Sequence, residues 1–127
     1  MDKLLGIISQ NVVSANQEAT AVDIARLMKE HNIGAIAIME NDKVIGIVSE
    51  RDLTTRVIAN ALSAENTKVK DFMTREVLTV DFKEGLNKIY QTLCEIDFRH
   101  LLIMNDKKLV GITSRRDLLD ALAAKKR

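Results

Sequence analysis

Apolar positions recur at helical spacing at Val22, Ile24, Ala25, Leu27 and Met28, after a Thr20/Asp23 pair and before Asn32 and Gly34. A hydroxyl at the N-cap with an acid three residues on satisfies the free N–H groups of a first turn. Asn and Gly tolerate the left-handed conformation that ends a helix, so one helix is predicted between these signals. The period then changes. AIAIM (35–39) and VIGIV (44–48) are short apolar runs around the polar turn ENDK, which predicts a β-hairpin. Ser49 opens a second predicted helix carrying Leu53, Val57 and Ala61, and the short run Val12-Val13 supplies a strand ahead of the first helix. The predicted order is β-α-β-β-α.

The same order is then written again. Val77-Leu78 stands for the first strand, and Leu86, Ile89, Tyr90, Leu93 and Ile96 for the first helix. NDKK (105–108) forms the hairpin turn, and a helix opening at Ser114 carries Leu118 and Leu122. GIVSERDL (46–53) and GITSRRDL (111–118) are nearly one phrase, 65 positions apart, with no gap needed between the copies. Two copies make a duplicated domain rather than a solenoid array. The expected organisation is a first repeat over 1–62, a polar linker SAENTK over 63–68 and a second repeat over 69–127. Three strands and two helices cover themselves poorly, so the expected fold is α/β of the α+β kind. Its two repeats are expected to be related by pseudo-two-fold symmetry, with sheets packed together and helices outside.

Composition narrows the function. With 46% apolar and 29% charged residues in 127, a globular core is possible. No apolar run is long enough to span a bilayer and no signal-type N-terminus is visible, so a cytoplasmic protein with no membrane partner is expected. A net charge of +1 argues against a dedicated nucleic-acid coat. The second half is mildly basic, with thirteen Lys/Arg against ten Asp/Glu over 65–127, and nucleic acid stays a weakly supported partner. Lys125-Lys126-Arg127 reads as a solvated end, His31 as surface, and the lone Cys94, in an apolar helical pattern, as packing. Two histidines, one cysteine, no P-loop and no G-x-S-x-G leave no nucleophile–base pair and no metal set, so no enzymatic activity is expected.

The repeated Ser-x-x-Asp admits two readings. As a helix N-cap, Ser49 with Asp52 and Ser114 with Asp117 need no ligand. As a binding site, free N–H donors and a hydroxyl at a helix N-terminus suit phosphate, while the carboxylate suits a ribose diol. Gly46 and Gly111, within the predicted strands, either ease close packing or leave room for a ligand.

The two copies of G-[IV]-x-S-x-R-D-L, the opening KVKDFMTREVLTV and the segment FRHLLIM together resemble the cystathionine-β-synthase-type (CBS) domain. The tandem resembles a CBS pair, or Bateman module, over essentially the whole chain. Ala37 and Leu102 stand where that family often carries proline.

The resemblance implies a regulatory module that binds an adenosine-containing ligand (AMP, ADP, ATP or S-adenosylmethionine). Its output is expected to run through an unidentified regulated protein or a homodimer, the latter because small two-layer repeats leave helix faces that one copy cannot cover. A ligand-free structural or partner-binding domain with vestigial pockets is the alternative. It also implies pockets that cross the repeats: Ser49 and Asp52 facing Arg99 and His100, and Ser114 and Asp117 facing Ile33, Gly34 and Ala35. Arg51 and Arg116 would lie near phosphates, and Ile8, Ser9, Met73 and Thr74 would line the adenine side. The Asp52 pocket is then expected to be the stronger one for polyphosphates. With almost the whole chain taken up by the sensor pair, no attached effector domain is expected.

Overall fold

The computed structural model describes residues 12–125, with the side chains of Leu86, Leu122, Ala124 and Lys125 outside the description. In chain order the first copy contains β1 (Ser14–Asn16), α1 (Ala21–His31), β2 (Ala35–Glu40) and β3 (Lys43–Ser49). It continues through the short α2 (Glu50–Asp52) into a π-helical segment, Leu53–Ile58. The second copy contains β4 (Thr79–Asp81), α3 (Gly85–Glu95), β5 (His100–Asn105), β6 (Lys108–Ser114) and α4 (Arg115–Lys125). No helix among the described residues is long and apolar enough to cross a membrane.

Each copy builds one three-stranded sheet, β1-β2-β3 and β4-β5-β6, with a parallel first pair and an antiparallel second pair. The duplication holds in register: Ser14 faces Ala37 and Thr79 faces Leu102, and both hairpins shift register at the same point, Ile38/Met39 and Ile103/Met104. Asn41 and Asp42 both have positive φ (50° and 65°), as a two-residue turn matched to strand twist requires. The first strands lie just beyond the runs Val12-Val13 and Val77-Leu78. Their ladders begin at those runs, with Ala37 N–H donating to Val13 O at 3.1 Å and Leu102 N–H to Leu78 O at 3.0 Å. Proline at Ala37 or Leu102 would have no N–H to donate, so each of these residues gives its copy one ladder bond that proline would remove.

The described residues form two compact units, Val13–Val77 and Leu78 onward. Ile24, Met28, Ile36, Ile38, Val48 and Val57 are at the centre of the first, joined by Val69, Phe72 and Met73 from the segment after it. Val80, Ile89, Leu93, Leu101, Ile103 and Leu118 are at the centre of the second. The predicted linker is bound to the first unit: Ala21 N–H donates to Thr67 O and Val22 N–H to Ala64 O, both at 2.9 Å. Thr20 and Asp23 form the expected capping box, so several of the otherwise orphan donors of α1 are satisfied.

Four local expectations are corrected. Ala61 is not helical. It has φ 53°, after a segment in which Ala59 N–H donates to Thr54 O and Leu62 N–H to Val57 O. The Thr54 and Thr55 hydroxyls donate to the Glu50 and Arg51 carbonyls, competing for the acceptors of a regular α-turn. Ile96 lies beyond α3 in extended backbone and is 44% exposed. Cys94 is exposed rather than packed, and Tyr90 is half exposed, because Ile89 and Leu93 take the core-facing positions of α3.

Candidate functional site

In the first unit β3 runs directly into α2, and Ser49 caps it. Asp52 is only 9% exposed, and both oxygens of its carboxylate have neighbours within its own unit. One oxygen accepts from Ser49 N–H at 2.9 Å and from Ser49 Oγ at 3.2 Å, while Asp52 N–H donates back to Ser49 Oγ at 3.3 Å. The other oxygen lies 3.6 Å from Arg56 Nε. Arg56 in turn donates through Nη1 to the carbonyls of Phe72 (3.1 Å) and Met73 (3.2 Å). The chain Ser49–Asp52–Arg56 thus ties the segment around residues 72–73 to the end of β3.

The neighbouring candidates belong to the same assembly. Ala35 faces Ser49 in the ladder, and Glu50 N–H donates to Gly34 O at 3.0 Å, which places half-buried Ile33 and Gly34 beside the cap. Ile47 and Thr74 exchange backbone hydrogen bonds at 2.9 and 2.8 Å. A Cβ on Gly46 would lie 2.7 Å from Met73 Sδ and 3.0 Å from Thr74 O. This glycine therefore makes room for the chain's own segment. Met73 is buried, Thr74 is half-buried and Arg51 is exposed. Ile8 and Ser9 lie outside the described residues.

The second unit repeats the layout with different chemistry. Ser114 Oγ accepts from Asp117 N–H at 2.9 Å, but Asp117 is exposed and no hydrogen bond among the described residues reaches its carboxylate. At the position equivalent to Arg56, one repeat later, stands buried Ala121, so this aspartate has no equivalent guanidinium. His100 faces Ser114 across the ladder, Arg99 O accepts from Arg115 N–H at 2.9 Å, and the Arg99 and Arg116 side chains are exposed. Arg99 and His100 thus adjoin Ser114 and Asp117 of their own copy.

Two arginines missed as functional parts are structural anchors. Arg56 stands four residues after Asp52, the spacing of a helical ion pair, which the sequence does display. Arg115, in the first turn of α4, donates to Leu93 O (2.8 Å) and Ile96 O (3.2 Å), and its guanidinium lies 5.3 Å from the Phe98 ring centroid. It caps the carbonyl end of α3, where the α1 counterpart is closed instead by left-handed Asn32. Nothing local in the sequence signals that long-range contact. Among the described residues no group of three or more His, Cys, Asp or Glu is placed to hold a metal ion.

The sequence pattern of the CBS domain matches residues 4–59 and 69–124. An uncharacterised protein of Methanopyrus kandleri is 33% identical over 89% of this chain and 59% of its own length. A CBS domain-containing protein of Arabidopsis thaliana is 31% identical over 81% of this chain and 52% of its own length. The chain therefore spans between about half and three fifths of these two curated relatives. Among solved structures, a CBS-domain protein of Burkholderia ambifaria superposes with a TM-score of 0.83 at 26% identity, covering 98% of this chain and 94% of that one. A hexameric CBS-CP12 protein from bloom-forming cyanobacteria superposes with a TM-score of 0.78 at 27% identity, over 91% of this chain and 65% of that one.

Proposed function

The chain belongs to the CBS-domain family, and from that premise we propose that it is a regulatory module binding an adenine nucleotide through its second unit and acting as a homodimer or through a regulated partner protein. CBS pairs are generally regulatory, ligand-binding elements. The observation that carries the nucleotide reading is the Asp117 carboxylate: exposed, without a hydrogen bond among the described residues, and beside the Ser114 hydroxyl at the N-terminus of an 11-residue helix. A ribose diol supplies the two donors such a carboxylate lacks. The helix N-terminus, with Arg99 and Arg116 alongside, supplies positive potential for phosphates, and His100 lies next to them.

Asp52 is less suited to the same task. One oxygen already accepts from Ser49 and the other is ion-paired with Arg56 at 3.6 Å, so a ribose would compete with both contacts. This shifts the favoured polyphosphate site from the first copy to the second, and leaves the first Ser-x-x-Asp mainly as a cap and strut. That second role is the specific support for the ligand-free alternative in copy one. Self-association is supported by exposed apolar residues on the helical faces and by the hexameric assembly of the cyanobacterial neighbour. No turnover is expected of the module, and ATP incubated with it should stay intact.

Calorimetric titration with AMP, ADP, ATP and S-adenosylmethionine tests the reading. A charge-assisted hydrogen-bond pair is worth about 1.5–3 kcal/mol, so Asp117→Ala should weaken the best ligand by about ten- to a hundredfold. Asp52→Ala, compared as folded protein, should change affinity much less. Equal binding by the parent and Asp117→Ala would reject the second-unit site. No binding of any of the four by the parent would favour the vestigial-pocket alternative.

A further inference from the structure

The two copies close their first helices by different means. In the first, Asn32 takes the left-handed conformation (φ 53°) and its own N–H donates to Met28 O, so α1 ends on its own residues. The residue after α3, Ile96, is extended (φ −120°, ψ 130°) and provides no such closure. The Leu93 and Ile96 carbonyls instead accept from Arg115, at 2.8 and 3.2 Å, and the same guanidinium lies over the ring of buried Phe98. Arg115 is the first residue of α4, between Ser114 and Arg116. Sixty-five positions earlier stands Glu50, whose carboxylate has no proton to offer a carbonyl. The backbone bonds at the two positions are nevertheless alike, Glu50 N–H to Gly34 O at 3.0 Å and Arg115 N–H to Arg99 O at 2.9 Å. Only the second copy therefore ties the end of its first helix to the strand-to-helix turn that carries its Ser-x-x-Asp.

We propose that Arg115 is a positioning residue that couples the nucleotide site of the second unit to the closing turn of α3. The inference rests on the nucleotide reading above and deepens it. Helix ends fray because their last carbonyls lack partners, so the closing turn of α3 has a clamped and an open state. In the clamped state one side chain fixes Leu93, Ile96 and Phe98, the run that leads into Arg99, while its own N–H holds the Arg99 carbonyl. Arg99 is thereby kept beside Ser114 and Asp117. In the open state only the backbone bond keeps it there. A nucleotide that meets Arg99 and Asp117 together binds the clamped state better, and a ligand shifts a two-state element by that difference in affinity. By linkage, the clamp raises affinity for the nucleotide by the factor with which the nucleotide stabilises the clamp.

Hydrogen exchange of the full-length protein, with and without a saturating amount of the tightest-binding of AMP, ADP and ATP, tests this at single amides. The Ile96 N–H, bonded to Thr92 O at 3.0 Å, reports the end of α3, and the Ile33 N–H, bonded to Met28 O at 3.1 Å, reports the self-closed end of α1. The nucleotide should slow exchange at Ile96 by about fivefold or more, the lower end of coupling between sites, and leave Ile33 nearly unchanged. No slowing at Ile96, or equal slowing at both amides, would overturn the proposal. Arg115→Leu should abolish the response at Ile96 while the nucleotide still binds, and a response that persists would count equally against it. Arg115→Lys keeps the charge beside the phosphates but lacks the planar fork that reaches two carbonyls. It should lose most of the response and weaken binding by no more than the parent's coupling factor. An undiminished response would reject the clamp, and a larger loss of affinity would put the arginine on the ligand itself and reject the positioning role. Should either variant fail to fold, the comparison of Ile96 with Ile33 in the parent still decides. Calorimetry that finds none of the three nucleotides bound to the parent would remove the nucleotide reading and this inference with it, whereas binding without a response at Ile96 removes this inference alone.

Discussion

Adding one methyl group at Gly46 would set a Cβ 2.7 Å from Met73 Sδ and 3.0 Å from the Thr74 carbonyl, a backbone atom that is itself bonded to Ile47. Gly46→Ala should therefore cost about 1–3 kcal/mol, as overpacking does. Gly34→Ala should cost less, since the atom it meets is the end of the flexible Glu50 side chain. Denaturant midpoints of the two variants, measured with a common slope, test this, and similar values would show that the 73–74 segment yields easily. The comparison also shows what could be read from residues alone. The two Ser-x-x-Asp phrases look identical, and both serines accept from the N–H three residues on, but only the Asp52 carboxylate answers its serine. Whether each aspartate is committed depends on Arg56 or Ala121 one turn later and on segments distant in sequence.

Two carboxyls carry single-residue charge effects on the acid side. Hydrogen bonding from Thr20 holds the Asp23 carboxyl below its ordinary 3.8, and Lys68 and Lys70 hold Glu18 below 4.5. A carboxyl whose folded pKa is depressed stabilises the fold above its unfolded value and loses that contribution as pH falls through the folded one. Urea midpoints of the parent should thus decline below about pH 4.5 more steeply than those of Asp23→Asn/Glu18→Gln. Parallel curves would show that neither contact persists in solution. Both groups are solvent-exposed, so the effect should also shrink with added salt.

At the scale of elements, periodicity located the two main helical segments and the hairpin of each copy, though not the short 3-10 helices Val69–Asp71 and Phe82–Glu84, and Asn32, Asn41 and Asp42 mark the helix end and the turn with residues that tolerate positive φ. It failed where polar side chains redirect the backbone. Thr54 and Thr55 widen the turn after α2, while Leu119 and Asp120 at the matching positions leave α4 regular. The end of α3 is a second such place, since Arg115, 19 residues from Ile96, satisfies its carbonyls. Arg115→Leu should destabilise the protein by about 1–2 kcal/mol, the scale of charge-assisted capping in a partly exposed setting. Hydrogen exchange should show the loss first at the C-terminal turn of α3. A uniform loss across both units, or none, would contradict a local capping role.

For the whole molecule, the two units use one backbone plan with two electrostatic outcomes, and this governs how a ligand should stabilise it. Binding to the folded state alone raises stability by about 2.7 kcal/mol at a concentration of 100 times the dissociation constant. If Arg99 and Arg116 meet phosphates while Asp117 holds the ribose, part of the ATP contribution is charge attraction at an exposed surface. Salt screens that part, with a Debye length of about 10 Å at 0.1 M. The melting shift produced by ATP should then fall markedly between low and moderate ionic strength, and that produced by adenosine should hardly change. Arg99→Ala should bring the ATP response toward the adenosine response, because only the phosphates meet the guanidinium. Asp117→Ala should reduce both, because both ligands carry the ribose. If Arg99→Ala lowers the adenosine and ATP shifts equally, the arginine is acting through the fold of the second unit rather than on phosphate, and the orientation of nucleotide along β5 and α4 is wrong.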